Sequence, residues 1–281
     1  MVARKAAKQT LSLLFRKPEL FSVATVLAIV QVTALLFAIY IPRLYLPGVL
    51  VSYFGTPYLV AGYYAYIEEA RRNGNPTLQR FKRLADSRYI SLFIARVYFG
   101  IFHVGVLTSL LIGVSILGLG SVSVDVDDIS ATTLQTPPTE LIAGATVLTL
   151  ILLTVVLIPI FFMQFYDTAL VLRQKPILQA FEESYTLVRN NVVSVCGYVG
   201  LRLLFIIVFS APAGFLRLVA TTGILTGNTQ YSPLAGEPRS TFFGVLLLAV
   251  VVGTVSLAVR LTYHVSFYES LKEHNRPRER L

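Results

Sequence analysis

Six long apolar runs, separated by short polar segments, dominate the pattern of hydrophobic positions along the chain. The runs lie at residues 19–41, 46–67, 90–117, 141–166, 192–215 and 241–267. Each is at least as long as the roughly 20 residues that cross a bilayer as a helix, and the apolar positions are continuous rather than alternating. The pattern therefore predicts an all-α polytopic membrane protein, a single integral membrane domain over residues 1–281 with six transmembrane helices.

The basic residues predict the orientation of these spans. If the N-terminus faces the cytoplasm, eighteen of the 24 Lys and Arg residues fall in cytoplasmic segments. Arg43, Arg217 and Arg239 are then outside, and Arg96, Arg202 and Arg260 lie within spans. Because Lys and Arg collect on cytoplasmic loops, we expect a multi-pass protein of the cell membrane with both termini in the cytoplasm.

The external segment 121–140 carries four carboxylates and no Lys or Arg. Its D-x-D-D spacing could attract a divalent cation. It lacks the Gly and the distal Glu of a calcium loop, so a solvated acidic loop is favoured.

Three cytoplasmic segments show helical periodicity, with apolar residues on one face. The aligned positions are Ile177, Leu178, Phe181, Tyr185 and Val188 in the first, Leu78, Phe81, Leu84 and Ala85 in the second, and Ala3, Ala7, Leu11 and Leu14 in the third. Such helices lie flat in the membrane interface, with the apolar side toward the acyl chains and the basic side toward anionic headgroups. The alternative is a helix docked on a protein partner.

The first two of these segments also indicate an internal repeat. PTLQRF begins at Pro76 and PILQAF at Pro176, and the two agree at four of six positions. Each follows an even-numbered span that ends in aromatic and acidic residues, and the sixth span ends in a similar way. We therefore expect a repeating unit, made of one interfacial helix and one transmembrane hairpin, that occurs three times in the chain.

Composition agrees with lipid as the main solvent. Only 14% of the residues are charged, 55% are apolar and the mean hydropathy is +0.68, whereas soluble domains carry about 25% charged residues. The net charge of +9 follows from basic cytoplasmic loops, and no cluster has the pattern of a nucleic-acid reader. Cys196 is the only cysteine, which excludes an intrachain disulfide and favours a small core residue.

Sequence motifs of catalysis are absent. There is no G-x-S-x-G, H-E-x-x-H, Gly-rich phosphate loop or C-x-x-C, and His103, His264 and His274 are scattered. No two carboxylates fall together within the spans. We therefore expect no catalytic residue, no metal, no cofactor and no enzymatic activity. An intramembrane lipid enzyme would need paired acid and base groups, which the pattern does not supply.

Arg202 is the residue that most needs an explanation, because it falls near the middle of the fifth span. An Arg at the centre of a span costs about 2.5–3.5 kcal/mol and should find a partner inside the bundle. Counting along the helices places Gln31, Thr56 and His103 at similar depth and no carboxylate there. Arg202 with these three is therefore a hypothetical site for an anion or a lipid phosphate. Internal hydrogen bonding or snorkelling is the alternative.

A second group of charges is expected at the cytoplasmic ends of the spans. This interfacial charge belt comprises Arg96, Arg260, Asp167, Glu69 and Glu269, which can pair with one another.

A family resemblance rests on residues 161–199, FFMQFYDTALVLRQKPILQAFEESYTLVRNNVVSVCGYV. In these residues an aromatic helix end is followed by an amphipathic segment and by the motif S-x-x-L-V-R-N, which leads into the next span. The stretch FRKPELFSVATV near the N-terminus leads into the first span in a similar way. The chain thereby resembles a group of six-span membrane proteins common in haloarchaea. More distantly, it is similar to the membrane domain that accompanies some glycerophosphodiester phosphodiesterases. The resemblance implies architecture, and it carries over no catalytic residue.

Two functions follow as expectations. The first is a non-enzymatic membrane-organising or accessory protein that contacts the bilayer, anionic headgroups and either a membrane-protein partner or a second copy of the chain. The second is a transporter or channel for a small anionic solute, suggested by Arg202 and by helix-breaking residues at Gly55–Pro57, Pro159 and Ala211–Gly214.

Overall fold

The described part of the chain is helical throughout. A computed structural model describes residues 2–40, 45–72, 74–119, 139–225 and 239–275, and describes their side chains except at 34–40, at 45, at many positions between 102 and 156, and at 209–246. The helices are α1 (Val2–Arg16), α2 (Glu19–Tyr40), α3 (Tyr45–Arg71), α4 (Leu78–Leu119), α5 (Thr139–Phe162), α6 (Tyr166–Leu172), α7 (Ile177–Arg189), α8 (Val192–Leu225) and α9 (Arg239–Asn275). The predicted all-α class is confirmed for these residues. Most of the acidic segment 121–140 lies outside them.

Five of the six predicted spans fall largely on one helix each, whereas the fourth, 141–166, extends past the end of α5 at Phe162 to the start of α6 at Tyr166. Several boundaries agree closely. Helix α2 begins at Glu19 and α8 at Val192, as the pattern predicts. Pro18 precedes the first of these starts, and Asn190–Asn191 precede the second, where α7 ends. Such residues stop one helix and let another begin.

The predicted helix breaks are wrong. Helix α3 continues through Pro57, α5 continues through Pro159, and α8 runs past Ala211–Gly214 to Leu225. Proline removes a single backbone donor, and the rest of the helix retains its hydrogen bonds.

The predicted second interfacial helix is also wrong as a separate element. Residues 78–85 are the first turns of α4, which continues without a break into the third apolar run. The linking residues Asp86, Ser87, Arg88 and Tyr89 include no Gly or Pro, so nothing ends the helix there. Separate helices, α1 and α7, precede α2 and α8, whereas the expected second copy has no separate helix. The threefold repeat remains a prediction.

The chain divides into two compact units. One comprises Met1–Phe93 and Phe165–Leu281, and the other Ile94–Gln164. In the first unit α9 is the central helix, in contact with α1, α2, α3 and α8. In the second unit the helices are the later part of α4 and α5, whose large apolar side chains, such as Leu150 and Ile158, are exposed.

Small residues allow α2 and α9 to approach closely. Ala24 and Ala28 are buried on α2, and a Cβ atom added to Gly253 of α9 would lie 3.5 Å from the Cβ of Ala28. Thr254 Oγ1 donates to Thr25 Oγ1 at 3.4 Å in the same contact. Close packing through small residues and hydroxyls is typical of helices that associate in lipid.

Length and composition identify fewer spans than six. Among the residues whose side chains are described, Leu247–Asn275 is long and apolar enough to cross a bilayer. A second span results if Ile177–Arg189 and Val192–Val208, which meet at an angle of 100°, count as one. Glu19–Thr33 and Leu157–Leu172 are apolar but shorter. The six-span arrangement remains a prediction.

A close approach between α3 and α4 gives the first testable prediction. A Cβ atom on Gly62 would lie 2.5 Å from the ring of Phe81, which is buried. We expect Gly62→Ala to displace this ring and lower the free energy of unfolding by about 1–3 kcal/mol. The measurement is chemical denaturation of the purified protein in detergent micelles.

The matched control is Gly55→Ala on the same helix, where an added Cβ has no neighbour within 4 Å. It should be neutral or stabilising by roughly 0.5–1 kcal/mol, because Ala loses less backbone entropy than Gly in a helix. Equal effects of the two substitutions would contradict the described packing of Phe81 on Gly62.

Candidate functional site

Asp167 is positioned by the short helix α6. It lies in the first turn of α6, where a carboxylate is favoured by the helix dipole, and its Oδ1 accepts a 2.7 Å hydrogen bond from the backbone N–H of Thr168. The preceding residue Phe165 donates its backbone N–H to Ser184 Oγ of α7 at 3.0 Å. Helix α6 is thereby held against α7.

A chain of hydrogen bonds extends from Asp167 to helices α3, α9 and α8. Tyr64 of α3 donates its hydroxyl to Asp167 Oδ2 at 2.7 Å. Asp167 Oδ1 lies 3.0 Å from His264 Nε2 of α9, and His264 Nδ1 lies 2.6 Å from the hydroxyl of Tyr198 of α8. Arg202, one turn further along α8, donates to that hydroxyl at 3.4 Å. We call these five residues the buried network.

The donors of the buried network can all point the same way. Because a guanidinium only donates, Tyr198 accepts from Arg202 and gives its own proton to His264 Nδ1. His264 Nε2 then donates its hydrogen to Asp167 Oδ1. Arg202 and Asp167 carry opposite charges at the two ends of this Tyr–His bridge.

Aromatic side chains enclose the middle of the network. The ring of Phe165 stacks on His264 with 5.3 Å between centroids, and Phe267 stacks on Tyr198 at 4.6 Å. Tyr63, Tyr198 and Phe165 are all fully buried. Hydrogen bonds in such surroundings are strong, and losing one partner leaves the other unsatisfied at a cost of about 1–3 kcal/mol.

The hydrogen bond from Arg202 to Tyr198 agrees with the alternative of internal hydrogen bonding, although the sequence did not indicate this tyrosine. The positions of residues along the predicted spans place no carboxylate at the depth of Arg202. In the structure, however, Asp167 is linked to Arg202 through Tyr198 and His264 and acts on it electrostatically. The long Arg side chain points back toward the N-terminal end of α8, which brings it to the level of Tyr198.

The other proposed anion-site residues are Gln31, Thr56 and His103. Gln31 and Thr56 are half-buried on α2 and α3, and no hydrogen bond joins either to Arg202 in the part of the chain that is described. The side chain of His103 lies outside the described residues. The hydroxyls of Tyr64 and Tyr198 were not singled out from the sequence, although Tyr198 and Arg202 are spaced as neighbours on one helix face.

The residues of the predicted charge belt fall into separate contacts. Glu269 of α9 accepts from Arg173 at 2.6 and 2.7 Å through its two oxygens. Glu69 lies 3.6 Å from Arg80, at the start of α4. Arg260, one turn before His264, acts electrostatically on Tyr198, and Arg96 lies on α4 in the second unit.

Glu183 of α7 is the centre of a second polar cluster. Its carboxylate lies 2.7 Å from Lys175 Nζ and 2.6 Å from Lys272 Nζ, and it accepts from the hydroxyl of Tyr268 at 2.5 Å. Gln174, in the left-handed conformation with φ of 54°, turns the chain between α6 and α7 just before Lys175. Lys272 and Tyr268 belong to α9, so the cluster joins α7 to α9.

Two grooves open beside these clusters. The α7–α9 groove, of about 860 Å³, is lined by residues of both helices, including Glu183 and Lys272, and by Lys175, which precedes α7. The α1–α3–α9 groove, of about 540 Å³, is lined by the cations Lys8, Arg16, Lys17 and Arg71, by one carboxylate, Glu273, and by Gln9, Ser12, Leu13, Ala70 and Ser266. Neither of these two grooves is lined by a residue of the buried network. The hydrogen bonds of the network join α3, α6, α8 and α9.

These features define an all-helical protein in which polar and charged contacts tie the helices together at the ends that carry α6 and α7. No group of three or more His, Cys, Asp or Glu suited to a metal occurs in the described residues. The family described as a domain of unknown function (DUF7847) matches residues 1–271, and the chain belongs to that family. Comparisons with curated proteins and with solved structures found no match.

The Glu183 cluster predicts how stability depends on pH. Burial alone would raise the pKa of Glu183, but the hydrogen bonds from Lys175, Lys272 and Tyr268 outweigh it and lower the pKa from 4.5 to about 2. A carboxylate with a lowered pKa stabilises the fold above its unfolded value, and this contribution is lost as the pH falls toward the folded value. We expect Glu183→Gln to reduce the free energy of unfolding by up to about 3 kcal/mol at neutral pH and to have little effect near pH 2.

Denaturation of wild type and variant across this pH range measures the difference. Glu182→Gln removes the same charge from the adjacent, exposed position and should change stability by no more than about 0.5 kcal/mol. A pH-independent effect of Glu183→Gln would contradict the lowered pKa.

Proposed function

We propose that this chain is a non-enzymatic, six-span protein of the cell membrane that organises or supports the membrane. In this proposal its cytoplasmic end contacts anionic lipid headgroups and a membrane-protein partner or a second copy of the chain. The topology with both termini in the cytoplasm, and the likeness to the haloarchaeal group and to the phosphodiesterase membrane domain, belong to the same proposal.

The observation that carries it is a large exposed apolar surface on the long helices. Residues exposed by 45–66% include Leu46, Leu50 and Val51 on α3, Leu203, Leu204, Ile207 and Val208 on α8, and Leu247, Leu248 and Val251 on α9. Contact of this surface with water would cost about 25 cal/mol for each Å², whereas acyl chains remove that cost.

The interfacial helices add a second support. Phe15 of α1 is 85% exposed and Leu178 of α7 is 81% exposed, next to faces that pack on the protein through Leu14 and Val188. Helix α1 also carries Arg4, Lys5, Lys8 and Arg16, and α7 carries Arg189 in its last turn together with two glutamates. An exposed apolar stripe beside basic residues is the pattern of a helix that lies in the membrane interface.

The alternative of an anion transporter has less support. The transporter alternative was suggested by an Arg202 without a carboxylate partner and by helix-breaking residues. In the structure Arg202 donates a hydrogen bond to Tyr198, and helix α3 continues through Pro57.

Cysteine labelling in intact cells tests the proposed topology. With Cys196 replaced by serine, Ser87→Cys lies on the exposed surface of α4 and Ser130→Cys lies in the predicted external segment. A membrane-impermeant maleimide should label Ser130→Cys in intact cells and should label Ser87→Cys after the cells are opened. Labelling of Ser87→Cys from outside would contradict the topology, and the cysteine-free protein is the control for background.

A further inference from the structure

The α1–α3–α9 groove carries an excess of positive charge. Its lining includes four cations and one carboxylate, and its volume is about 540 Å³. The groove is formed where the flat surface of α1 meets the last turn of α3 and the C-terminal part of α9. The α7–α9 groove differs, because its two lysines are already paired with Glu183.

Arg71 is the groove cation with a described ion pair, and that pair is a loose one. Its side chain is 18% exposed, and the ion pair described for it is with Glu273 at 3.9 Å, which is too long for a hydrogen bond. Arg173, by comparison, reaches both oxygens of Glu269 at 2.6 and 2.7 Å. Burial lowers the pKa of Arg71, although Glu269, Glu273 and Glu68 raise it. A further negative charge in the groove would therefore be favourable.

Ser266 supplies an independent sign of a ligand. It is 0% exposed and lines the groove, and its Oγ has no hydrogen-bond partner among the described residues. Gln9 is held by a hydrogen bond from Ser270 Oγ to its Oε1 at 3.2 Å, which leaves its amide N–H groups to donate. Hydroxyl and amide donors next to guanidinium and ammonium groups match the acceptor oxygens of a phosphate.

The neighbouring surface of α1 indicates where the phosphate comes from. Lys8, Ser12 and Arg16 are spaced four residues apart and line the groove. Leu11 and Phe15 form the adjoining stripe of the same helix and are exposed. A headgroup held in the groove would place its acyl chains beside these two apolar side chains, which a free phosphate would not use.

We propose that the α1–α3–α9 groove is a specific binding site for the phosphate of an anionic lipid headgroup. This inference rests on the proposed function, because only a chain in the membrane meets such a lipid with α1 in the interface. Arg71 and the cations of α1 bind the phosphate oxygens, and Ser266 donates the hydroxyl hydrogen for which the described residues offer no acceptor.

Binding of phosphatidic acid to the purified full-length protein in detergent micelles tests the site, with phosphatidylcholine and inorganic phosphate as parallel probes. We expect saturable binding of phosphatidic acid, weakened about tenfold or more in Lys8→Gln/Arg16→Gln. The matched control, Arg4→Gln/Lys5→Gln, removes two charges from the same helix outside the groove and should change the affinity by less than about twofold.

Ser266→Ala is the second test, because it removes a hydroxyl that has no described partner and leaves the fold intact. It should leave the stability without lipid unchanged and weaken binding of phosphatidic acid several-fold. Equal weakening by the groove variant and the control would show diffuse charge attraction and overturn the site. Inorganic phosphate binding as tightly as phosphatidic acid would overturn its assignment to a lipid.

The inference and the proposed function fail in different ways. Release of the wild-type protein from membranes by an alkaline carbonate wash would contradict a membrane-spanning chain and with it the proposed function. Retention in the membrane together with unaltered lipid binding by Lys8→Gln/Arg16→Gln would overturn the groove site alone.

Discussion

The carboxylate of Asp167 imposes the strongest constraint on this fold. A buried carboxylate must be hydrogen-bonded or paired, and Asp167 meets that requirement with groups from α3, α6 and α9 at once. Tyr198 and Arg202 extend the same chain of contacts to α8. Helices that are far apart in the sequence are thereby fixed at one level, and the aromatic rings around His264 exclude water from it.

The remaining architecture follows from where this network lies. Polar and charged contacts collect at the ends of the helices that also carry the Glu183 cluster and both grooves. The long helices continue from that end with small residues between α2 and α9 and with large apolar residues on their outer surfaces. This division into a polar end and an apolar body supports the proposal that lipid surrounds the body and that phosphate headgroups reach the polar end.

The sequence predicts the helices well, because apolar runs and helix stops are local signals. The starts of α2 at Glu19 and α8 at Val192, and the separate helix α7, follow from such signals. The continuous α4 was missed because an amphipathic pattern indicates a face and not a helix end. Cys196, expected in the core, is exposed for a related reason, since an apolar run does not show which of its sides packs on the protein.

The buried network was only half predictable. Arg202 and Asp167 were singled out from the sequence, whereas His264 was set aside as one of three scattered histidines. Their connection depends on long-range packing and on the length of the arginine side chain, which the position of a residue along its helix does not show. Tyr64 and Tyr198 were missed because tyrosines are common at helix ends near a membrane interface, and only their hydrogen bonds distinguish these two.

A double-mutant cycle on Tyr64→Phe and Tyr198→Phe tests most directly whether these residues form one connected network. Each substitution removes one hydroxyl and keeps the ring, and each should lower the free energy of unfolding in detergent by about 1–3 kcal/mol. Because the hydroxyls lie at opposite ends of the Asp167–His264 pair, the two effects should be non-additive by about 0.5 kcal/mol or more. Tyr53→Phe, at an exposed position of α3, is the control and should be neutral. Strict additivity, or single effects no larger than that of Tyr53→Phe, would contradict the account.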